Sequence, residues 1–379
     1  MTNYFVNSLQ ETTAANVNGQ NLTGTDNLYV SATGDIVVLG TGAVAGINLD
    51  GNSTDNTVTI AGQVYCANGD GIDSRSTDLN LTLTGSVVAG EDGIYASGES
   101  QILIGSQGVL SAAGYGIIVD YGAGDSTIAV DGAILAADDS GIELNAPTAI
   151  TVNAGGVISG HYTGATFYGG SADSSLYNGG TITGVYFSSN AVFIDDANIL
   201  IDNAGTMSSQ SAAIDITAAG TLIQNSGTIT GQNGTAIEMD AGANGTKIDN
   251  SGTILGTIAD SGASGPLQLT NSGTIHASSV ALTTTTYDDT VSNSGTIHGS
   301  LVMGSGSDTI SNDGKIVGSI SFDGTDDTLA NSGSITGGVS LGDGDTLTNT
   351  NGTIAGGITG DGGFHIINSG TITGGLSDS

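Results

Sequence analysis

A recurring aspartate in the last third of the sequence has the residue type and spacing to bind a metal ion. Each copy is followed by threonine and an apolar residue, and successive copies are 18 or 19 residues apart. Equivalent residues of stacked repeats lie about 4.8 Å apart, so neighbouring carboxylates repel each other. Calcium binds carboxylate and carbonyl oxygens and would remove that repulsion. The candidate calcium column comprises Asp289, Asp308, Asp326, Asp327, Asp343 and Asp345. The alternative is a solvated acidic edge whose aspartates cap turns.

Other residues could carry catalysis or bind a transition metal. His276 and His298 occupy the same position in consecutive repeats, but the pattern supplies no third zinc ligand. Hydrolysis of a neutral glycan needs two carboxylates at a defined separation. The paired acids that could supply them are Asp138 with Asp139, Asp195 with Asp196, and Glu238 with Asp240. Such pairs are expected by chance among 37 acidic residues, so we predict no enzyme, no catalytic residue and no organic cofactor.

The charge balance excludes several classes of partner. Three cationic residues stand against 37 acidic ones, giving a formal net charge of -34. Such a field repels nucleic acid and anionic membrane surfaces. No segment approaches the roughly 18 consecutive apolar residues of a membrane helix, so we expect no membrane insertion. Cys66 is the only cysteine, and we predict that it fills the core instead of forming a disulfide.

A short phrase of the type Asn-Ser-Gly-Thr-Ile is repeated through the second half of the chain. Its copies begin at Asn203, Asn225, Asn250, Asn271, Asn293, Asn312, Asn331, Thr350 and Asn368. Repeats of this length are typical of solenoids. Because side chains alternate along a strand, the isoleucine should enter an interior column and the flanking threonines should face outward. The glycine indicates a positive φ or a tight corner, and the asparagine predicts contacts with the backbone or an amide ladder.

The first half adds further apolar stretches to each repeat, separated by Gly, Asn, Asp and Ser bends. No helical periodicity is present. The pattern predicts an all-β fold, a right-handed parallel β-helix of roughly fifteen turns of 18 to 28 residues. Residues 1–27 form a predicted cap or pairing arm and residues 28–379 the solenoid. Longer three-strand turns extend to about residue 290, and turns of 18 or 19 residues follow.

The repeats also carry two resemblances. The phrase from Asn225 to Gly231, together with the Asp-Thr-Leu and Gly-Ile strands, resembles the passenger β-helices of bacterial autotransporter adhesins. The segment from Gly304 to Ser311 is similar to the calcium-binding nonapeptide of RTX proteins. These resemblances imply a bacterial protein at the cell surface or outside the cell, calcium as its cofactor, and signal-less export such as type I secretion.

Three functions follow as expectations. The first is an extracellular structural protein that assembles with itself head to tail into a surface layer, fibre or biofilm-matrix filament and is stabilised by calcium. The second is an adhesin that binds surface polysaccharide through the segment from Gly155 to Tyr177, which contains Tyr162, Phe167 and Tyr168. Exposed, clustered aromatic residues would favour this second function, and buried ones the first. The third and least favoured is a polysaccharide-degrading β-helix enzyme.

Overall fold

The structure is a computed structural model that describes residues 1–42, 44–262 and 265–378. These residues form 47 strands, and no helix occurs among them. The strands pair in parallel from one turn to the next, which confirms the predicted parallel β-solenoid. The chain divides into two compact units. Unit 1 comprises Met1–Ile199 and Gly205–Ser209, and unit 2 comprises Leu200–Ala204 and Gln210–Ser379.

Unit 1 has three walls, each built from one strand per turn. Wall A contains β1 (Asn3–Val6), β4 (Asn27–Val30), β7 (Asn56–Ile60), β10 (Asp78–Leu83), β13 (Glu99–Ile104), β16 (Ser126–Val130), β19 (Thr148–Val152) and β22 (Ser175–Asn178). Wall B contains β2 (Leu9–Thr12), β5 (Asp35–Val38), β8 (Gln63–Cys66), β11 (Ser86–Ala89), β14 (Val109–Ala112), β17 (Ala133–Ala136), β20 (Val157–Gly160), β23 (Thr181–Gly184) and β26 (Thr206–Ser209). Wall C contains β3 (Gln20–Leu22), β6 (Ala45–Leu49), β9 (Asp70–Ser74), β12 (Ile94–Ala96), β15 (Ile117–Val119), β18 (Ile142–Leu144), β21 (Thr163–Phe167) and β24 (Asn190–Ile194).

In unit 2, wall A keeps the same form, whereas the other two walls join in several turns. Its wall A contains β25 (Leu200–Asn203), β28 (Leu222–Asn225), β30 (Lys247–Asn250), β32 (Gln268–Asn271), β34 (Thr290–Asn293), β36 (Thr309–Asn312), β39 (Thr328–Asn331), β42 (Thr346–Asn349) and β45 (His365–Asn368). The remaining strands are β27 (Ile214–Ile216), β29 (Thr228–Met239), β31 (Thr253–Asp260), β33 (Thr274–Thr283), β35 (Thr296–Met303), β37 (Lys315–Val317), β38 (Ile320–Phe322), β40 (Ser334–Ile335), β41 (Val339–Leu341), β43 (Thr353–Ile354), β44 (Ile358–Gly360), β46 (Thr371–Ile372) and β47 (Leu376–Asp378). Strands β29, β31, β33 and β35 each span two walls, with register shifts at the bend.

The predicted interior column of isoleucines is present in unit 2. Ile229 pairs with Ile254, Ile254 with Ile275, and Ile275 with Ile297. All four side chains are buried. Each buried isoleucine contributes about 2 kcal/mol through removal of apolar surface from water, so the column holds successive turns together. Cys66 is also fully buried, which confirms its prediction as a core residue.

The glycine of the repeat is required by close backbone approach, not by a positive φ. A Cβ atom at Gly273 would lie 2.2 Å from the carbonyl oxygen of Gly252, the equivalent glycine one turn earlier. The same distance separates a Cβ at Gly252 from Gly227. None of these glycines has a positive φ. Only a residue without a side chain lets successive corners stack this closely.

The asparagines form the predicted amide ladder along unit 2. The Nδ2 group of Asn225 donates to Oδ1 of Asn250 at 2.7 Å, and Asn250 donates to Asn271 at the same distance. The ladder extends from Asn203 to Asn368 through eight such bonds. One member differs from the sequence prediction, because Asn349 occupies the ladder position instead of Thr350. The extra residue is accommodated by Asn351, whose φ is 59°.

The first residues belong to the stacked turns. Strands β1, β2 and β3 pair in parallel with β4, β5 and β6. The polar segment from Glu11 to Asn27, part of the predicted cap or pairing arm, therefore contains strands of a regular turn. None of the described residues belongs to a helix with the length and apolar character needed to cross a membrane.

Candidate functional site

Four of the predicted calcium ligands form a buried column in unit 2, where each aspartate immediately precedes one of the wall A strands β34, β36, β39 and β42. The side chains of Asp289, Asp308, Asp327 and Asp345 are at most 2% exposed. The Oδ1 atom of each accepts a backbone N–H from the preceding turn, at distances between 2.6 and 2.9 Å. The donors are the N–H groups of Leu267, Asp289, Asp308 and Asp327 in that order. The aspartates therefore cap turns, but the predicted solvated edge is wrong because they face away from water.

The second carboxyl oxygen in this column has a different environment. The Oδ2 atoms of Asp289, Asp308 and Asp327 are buried and have no hydrogen-bond partner in the described protein. Burial, and after it the neighbouring carboxyls, raise the pKa of Asp308 to about 7, against the lowering effect of the Asp289 N–H. Burial likewise raises the pKa of Asp327 to about 6. A buried carboxylate is stable only when its charge is compensated, so we expect a proton or a cation at these oxygens.

The other two predicted ligands lie outside this column. Asp326 is exposed and adopts a left-handed backbone conformation with φ of 63°. Asp343 is exposed, and its Oδ1 atom accepts the backbone N–H of Gly363 at 2.9 Å. Within the described ranges, no group of three or more His, Cys, Asp or Glu side chains has the geometry of a metal site. The six predicted ligands are thus divided between a buried column and an exposed corner.

The predicted histidine pair is stacked on the outside of unit 2. His276 pairs in register with His298, and their ring centroids are 5.0 Å apart. The acid pair Glu238 and Asp240 also lies in unit 2, where burial and neighbouring carboxyls raise the pKa of Glu238. Asp215 pairs with Glu238 in register, and burial raises its pKa to about 6. These acidic residues lie close together on one wall, but among the described residues they do not form a group of side chains that could hold a metal ion.

The segment from Gly155 to Tyr177, predicted to bind polysaccharide, does not present its aromatic residues on one surface. It contains β20, β21 and the first residues of β22. Phe167 is fully buried in the core, whereas Tyr177 is 42% exposed on the outer side of wall A. Tyr162 and Tyr168 lie at the two ends of β21, at 47% and 38% exposure. The chain's turns therefore separate residues that are close in sequence.

Two other groups of aromatic residues lie in unit 1, one at the corner between walls B and C and one at the far end of wall C. The rings of His161 and Tyr186 stack with centroids 4.7 Å apart, and Tyr162 packs edge-on against both at 4.8 and 5.7 Å. At the far end of wall C, Tyr168 packs against Phe193 at 6.0 Å. We call these five residues, together with Tyr115, the aromatic surface.

Backbone contacts between consecutive turns position this surface. The N–H of Tyr186 donates to the carbonyl of His161 at 2.9 Å, and the N–H of His161 donates to the carbonyl of Asp139 at 2.8 Å. The corners that carry these residues are therefore stacked directly on each other. Along the strands, Glu143 pairs with Thr166 and Thr166 with Phe193. The aromatic surface thus spans four consecutive turns whose spacing is set by the parallel sheet.

Carboxyl groups lie between the rings of the aromatic surface. Burial raises the pKa of Tyr115, and the Glu143 and Asp139 carboxyls raise it further. Burial also raises the pKa of Asp139, while the Tyr115 hydroxyl and His161 lower it. The pKa of Tyr168 is raised by burial and then by Glu143. The surface therefore combines apolar rings with hydrogen-bonding oxygens in a partly dehydrated setting.

Sequence reasoning missed most of the aromatic surface, although one signal was present. Tyr162 and Tyr186 each stand two residues after the glycine that ends a wall B strand, at Gly160 and Gly184. Residues at the same offset in consecutive turns stack, so this repeat would have placed the two tyrosines together. Tyr115 and Glu143 also interact, but they do not stand at the same offset in their turns, so no repeat in the sequence relates them.

The candidate sites thus consist of the buried aspartate column in unit 2 and the aromatic surface in unit 1. No protein-family model matches this chain, and no curated protein is similar to it in sequence.

Proposed function

We propose that this chain is an extracellular bacterial structural protein whose copies associate head to tail into a filament, fibre or surface layer. One observation carries the proposal. Within the described residues, β1, β2 and β3 pair on one side only, and so do β45, β46 and β47. Unpaired strand edges are templates for another chain, and a head-to-tail contact that does not close on itself produces a filament.

Exposed apolar side chains on these turns support the same proposal. Phe5 is 70% exposed and Leu9 is 58% exposed in the first turn. In the last turn, Ile367 is 51% exposed and Leu376 is 66% exposed. Burial of these side chains against a second copy would add hydrophobic stabilisation to the strand pairing.

Negative-stain microscopy and light scattering over a range of protein concentrations test the proposal. We expect filaments or growing oligomers from the unmodified chain, and their loss in Leu376→Asp, which places a charge on the proposed contact. Leu135→Asp is the matched control, because Leu135 is 40% exposed but lies in β17, away from the end turns. A chain that stays monomeric at high concentration contradicts the proposal.

Calcium is the cofactor that we propose for the aspartate column. The supporting observation is the set of three buried Oδ2 atoms without a protein partner, which a cation would compensate. Calcium should raise the thermal unfolding midpoint at millimolar concentration, and magnesium, which binds small octahedral sites, should do so less. An unchanged midpoint contradicts calcium binding and leaves protonation as the compensation.

A second candidate function is adhesion to a surface polysaccharide. It is favoured by Tyr162, Tyr168 and Tyr186, which keep 38% to 48% of their surface exposed although they cluster with other rings. Contiguous exposed apolar surface on a soluble protein often marks a binding site. That the chain is not an enzyme stays a prediction.

A further inference from the structure

We infer that the aromatic surface of unit 1 binds a neutral, hydroxyl-rich polysaccharide that lies along the stacked turns. The inference rests on the adhesive function proposed above and adds a site and a class of ligand to it. Four consecutive turns contribute to the site, through Tyr115, Glu143, Tyr162, Tyr168, Tyr186 and Phe193.

The chemistry of the surface matches that of a sugar polymer. Pyranose rings have apolar C–H faces that pack on aromatic rings, and hydroxyl groups at their edges that donate to carboxylates. Here the Asp139 carboxyl interacts with Tyr115 and His161, and the Glu143 carboxyl interacts with Tyr115 and Tyr168. A ligand with only apolar character would dehydrate these carboxyls further and offer them no hydrogen bond, which is unfavourable. A sugar polymer can pack its C–H faces on the aromatic rings and donate hydrogen bonds from its hydroxyl groups to the carboxyls.

The charge of the chain selects a neutral polymer over an anionic one. With three cationic residues against 37 acidic residues, the chain repels uronate-rich or sulfated glycans. A cationic ligand is disfavoured for a different reason. The carboxyls on this surface already interact with the Tyr115 hydroxyl and His161, and burial raises the pKa of Asp139. The surface therefore offers hydrogen-bond acceptors more than it offers free negative charge.

The geometry of the fold favours an extended polymer over a single sugar. Parallel turns repeat about every 4.8 Å, which is close to the length of one pyranose unit in an extended chain. The rings of Tyr162 and Tyr186 come from consecutive turns and follow this repeat. Successive sugar units can therefore meet equivalent side chains on successive turns, and their individual contacts add up along the polymer.

Affinity electrophoresis tests the inference with defined polymers. The full chain is run through native gels that contain hydroxyethylcellulose, galactomannan or dextran as neutral polymers, or polygalacturonate as the anionic one. We expect retardation by at least one neutral polymer and none by polygalacturonate. Tyr162→Ala, Tyr168→Ala and Tyr186→Ala should each weaken the apparent affinity about tenfold, because each removes a stacking ring.

Tyr177→Ala is the matched control. Tyr177 is 42% exposed, similar to the three test residues, but lies on wall A. Its variant should bind within about twofold of the unmodified chain. Circular dichroism and thermal unfolding of every variant separate loss of binding from loss of fold.

Each other outcome decides against the site. Retardation that survives all three substitutions places sugar binding elsewhere and overturns this site while supporting adhesion. Absence of retardation in every neutral gel overturns both the site and the adhesive function. Binding of a fluorescent oligolysine that depends on these tyrosines, without retardation by neutral polymers, assigns the surface to a cationic partner instead. None of these results affects the head-to-tail proposal, whose test residue lies in an end turn.

Discussion

The backbone N–H of Asp289 donates to the Oδ1 atom of Asp308 at 2.8 Å, so a carboxyl group of one turn satisfies the backbone of the turn before it. Both residues are almost completely buried. The same relationship links Asp308 to Asp327 and Asp327 to Asp345. A repeated aspartate in a β-solenoid can therefore be a backbone cap, whether or not its other oxygen also binds an ion.

This hydrogen bond predicts different free energies of unfolding for two substitutions of Asp308. Asp308→Ala leaves the Asp289 N–H buried without an acceptor, and we expect it to lower the free energy of unfolding by about 1 to 3 kcal/mol. Asp308→Asn keeps an acceptor oxygen and removes the buried charge, so it should be close to the unmodified chain or more stable in calcium-free buffer. Urea unfolding measures both free energies.

Asp323→Asn serves as the control for these two variants, because Asp323 is exposed and the substitution removes the same charge. Equal destabilisation by Asp308→Ala and Asp308→Asn would contradict the capping role. A calcium-dependent rise in the midpoint that disappears in Asp308→Asn but persists in Asp323→Asn would support calcium in the column.

The asparagine ladder predicts a second stability effect in unit 2. Asn271 accepts from Asn250 and donates to Asn293, both at 2.7 Å, and all three side chains are buried. Asn271→Ala removes both bonds and leaves polar atoms unsatisfied in the interior, which should cost about 2 to 4 kcal/mol. Gln268→Ala, at an exposed position of the same strand, should change stability by less than about 0.5 kcal/mol.

Asn271→Asp sharpens this test, because aspartate accepts from Asn250 but its ionised form cannot donate to Asn293. We expect this variant to be less stable than the unmodified chain at pH 7 and to recover part of the difference near pH 4, where the carboxyl group carries a proton. Chemical unfolding at both pH values measures the difference. Equal stability of Asn271→Asp and the unmodified chain at pH 7 would show that the ladder contributes little.

The stacked glycines predict a steric effect. A Cβ atom at Gly273 would lie 2.2 Å from a backbone oxygen and 2.6 Å from two further backbone atoms. Neither turn can move away without breaking parallel hydrogen bonds, so Gly273→Ala should cost about 3 kcal/mol. Gly51→Ala is the control, because a Cβ there meets no atom within 4 Å. Thermal unfolding of the two variants should therefore differ clearly, and similar midpoints would argue against the close approach.

Contacts between repeats can be predicted from the sequence where the alternation of a strand determines which side chains face the core. The inward isoleucine at position 254, its glycine and the asparagine at position 250 repeat at fixed offsets, and stacking brings their copies into contact. The alternation of a strand is enough to predict such contacts. The burial of Asp308 follows the same alternation, because Asp308, Ile310 and Asn312 are all buried and the residues between them are not. It was missed because a carboxyl group favours the solvent side of a strand, and only its hydrogen bond to the Asp289 N–H makes the buried position acceptable.

The aromatic surface shows a second limit of sequence reasoning. Tyr168 and Phe193 are 25 positions apart and stand at different offsets in their turns, yet their rings meet. Turn lengths vary in unit 1, so the register between turns is set by loops of unequal length. The segment near Tyr162 was identified as aromatic, but its partners could be found only once the register of β21 with β24 was known.

A pH dependence of stability is expected from Asp70 in unit 1. Burial, and after it the Asp92 carboxyl, raise the pKa of Asp70 from 3.8 to about 7, although the Asp92 N–H donates to its Oδ1 atom at 3.2 Å. Between these pH values the folded chain holds a proton that the unfolded chain has released. The contribution of Asp70 to stability is therefore complete below the unfolded pKa and is lost as the pH rises through 7. The full shift corresponds to about 4 kcal/mol, and solvent screening of this partly exposed group reduces the expected change to the order of 1 to 2 kcal/mol. Asp70→Asn should remove this part of the pH dependence, whereas Asp78→Asn, at an exposed position, should keep it. Unfolding free energies measured from pH 4 to pH 8 compare the three proteins, and parallel curves for Asp70→Asn and the unmodified chain would show that Asp70 ionises normally.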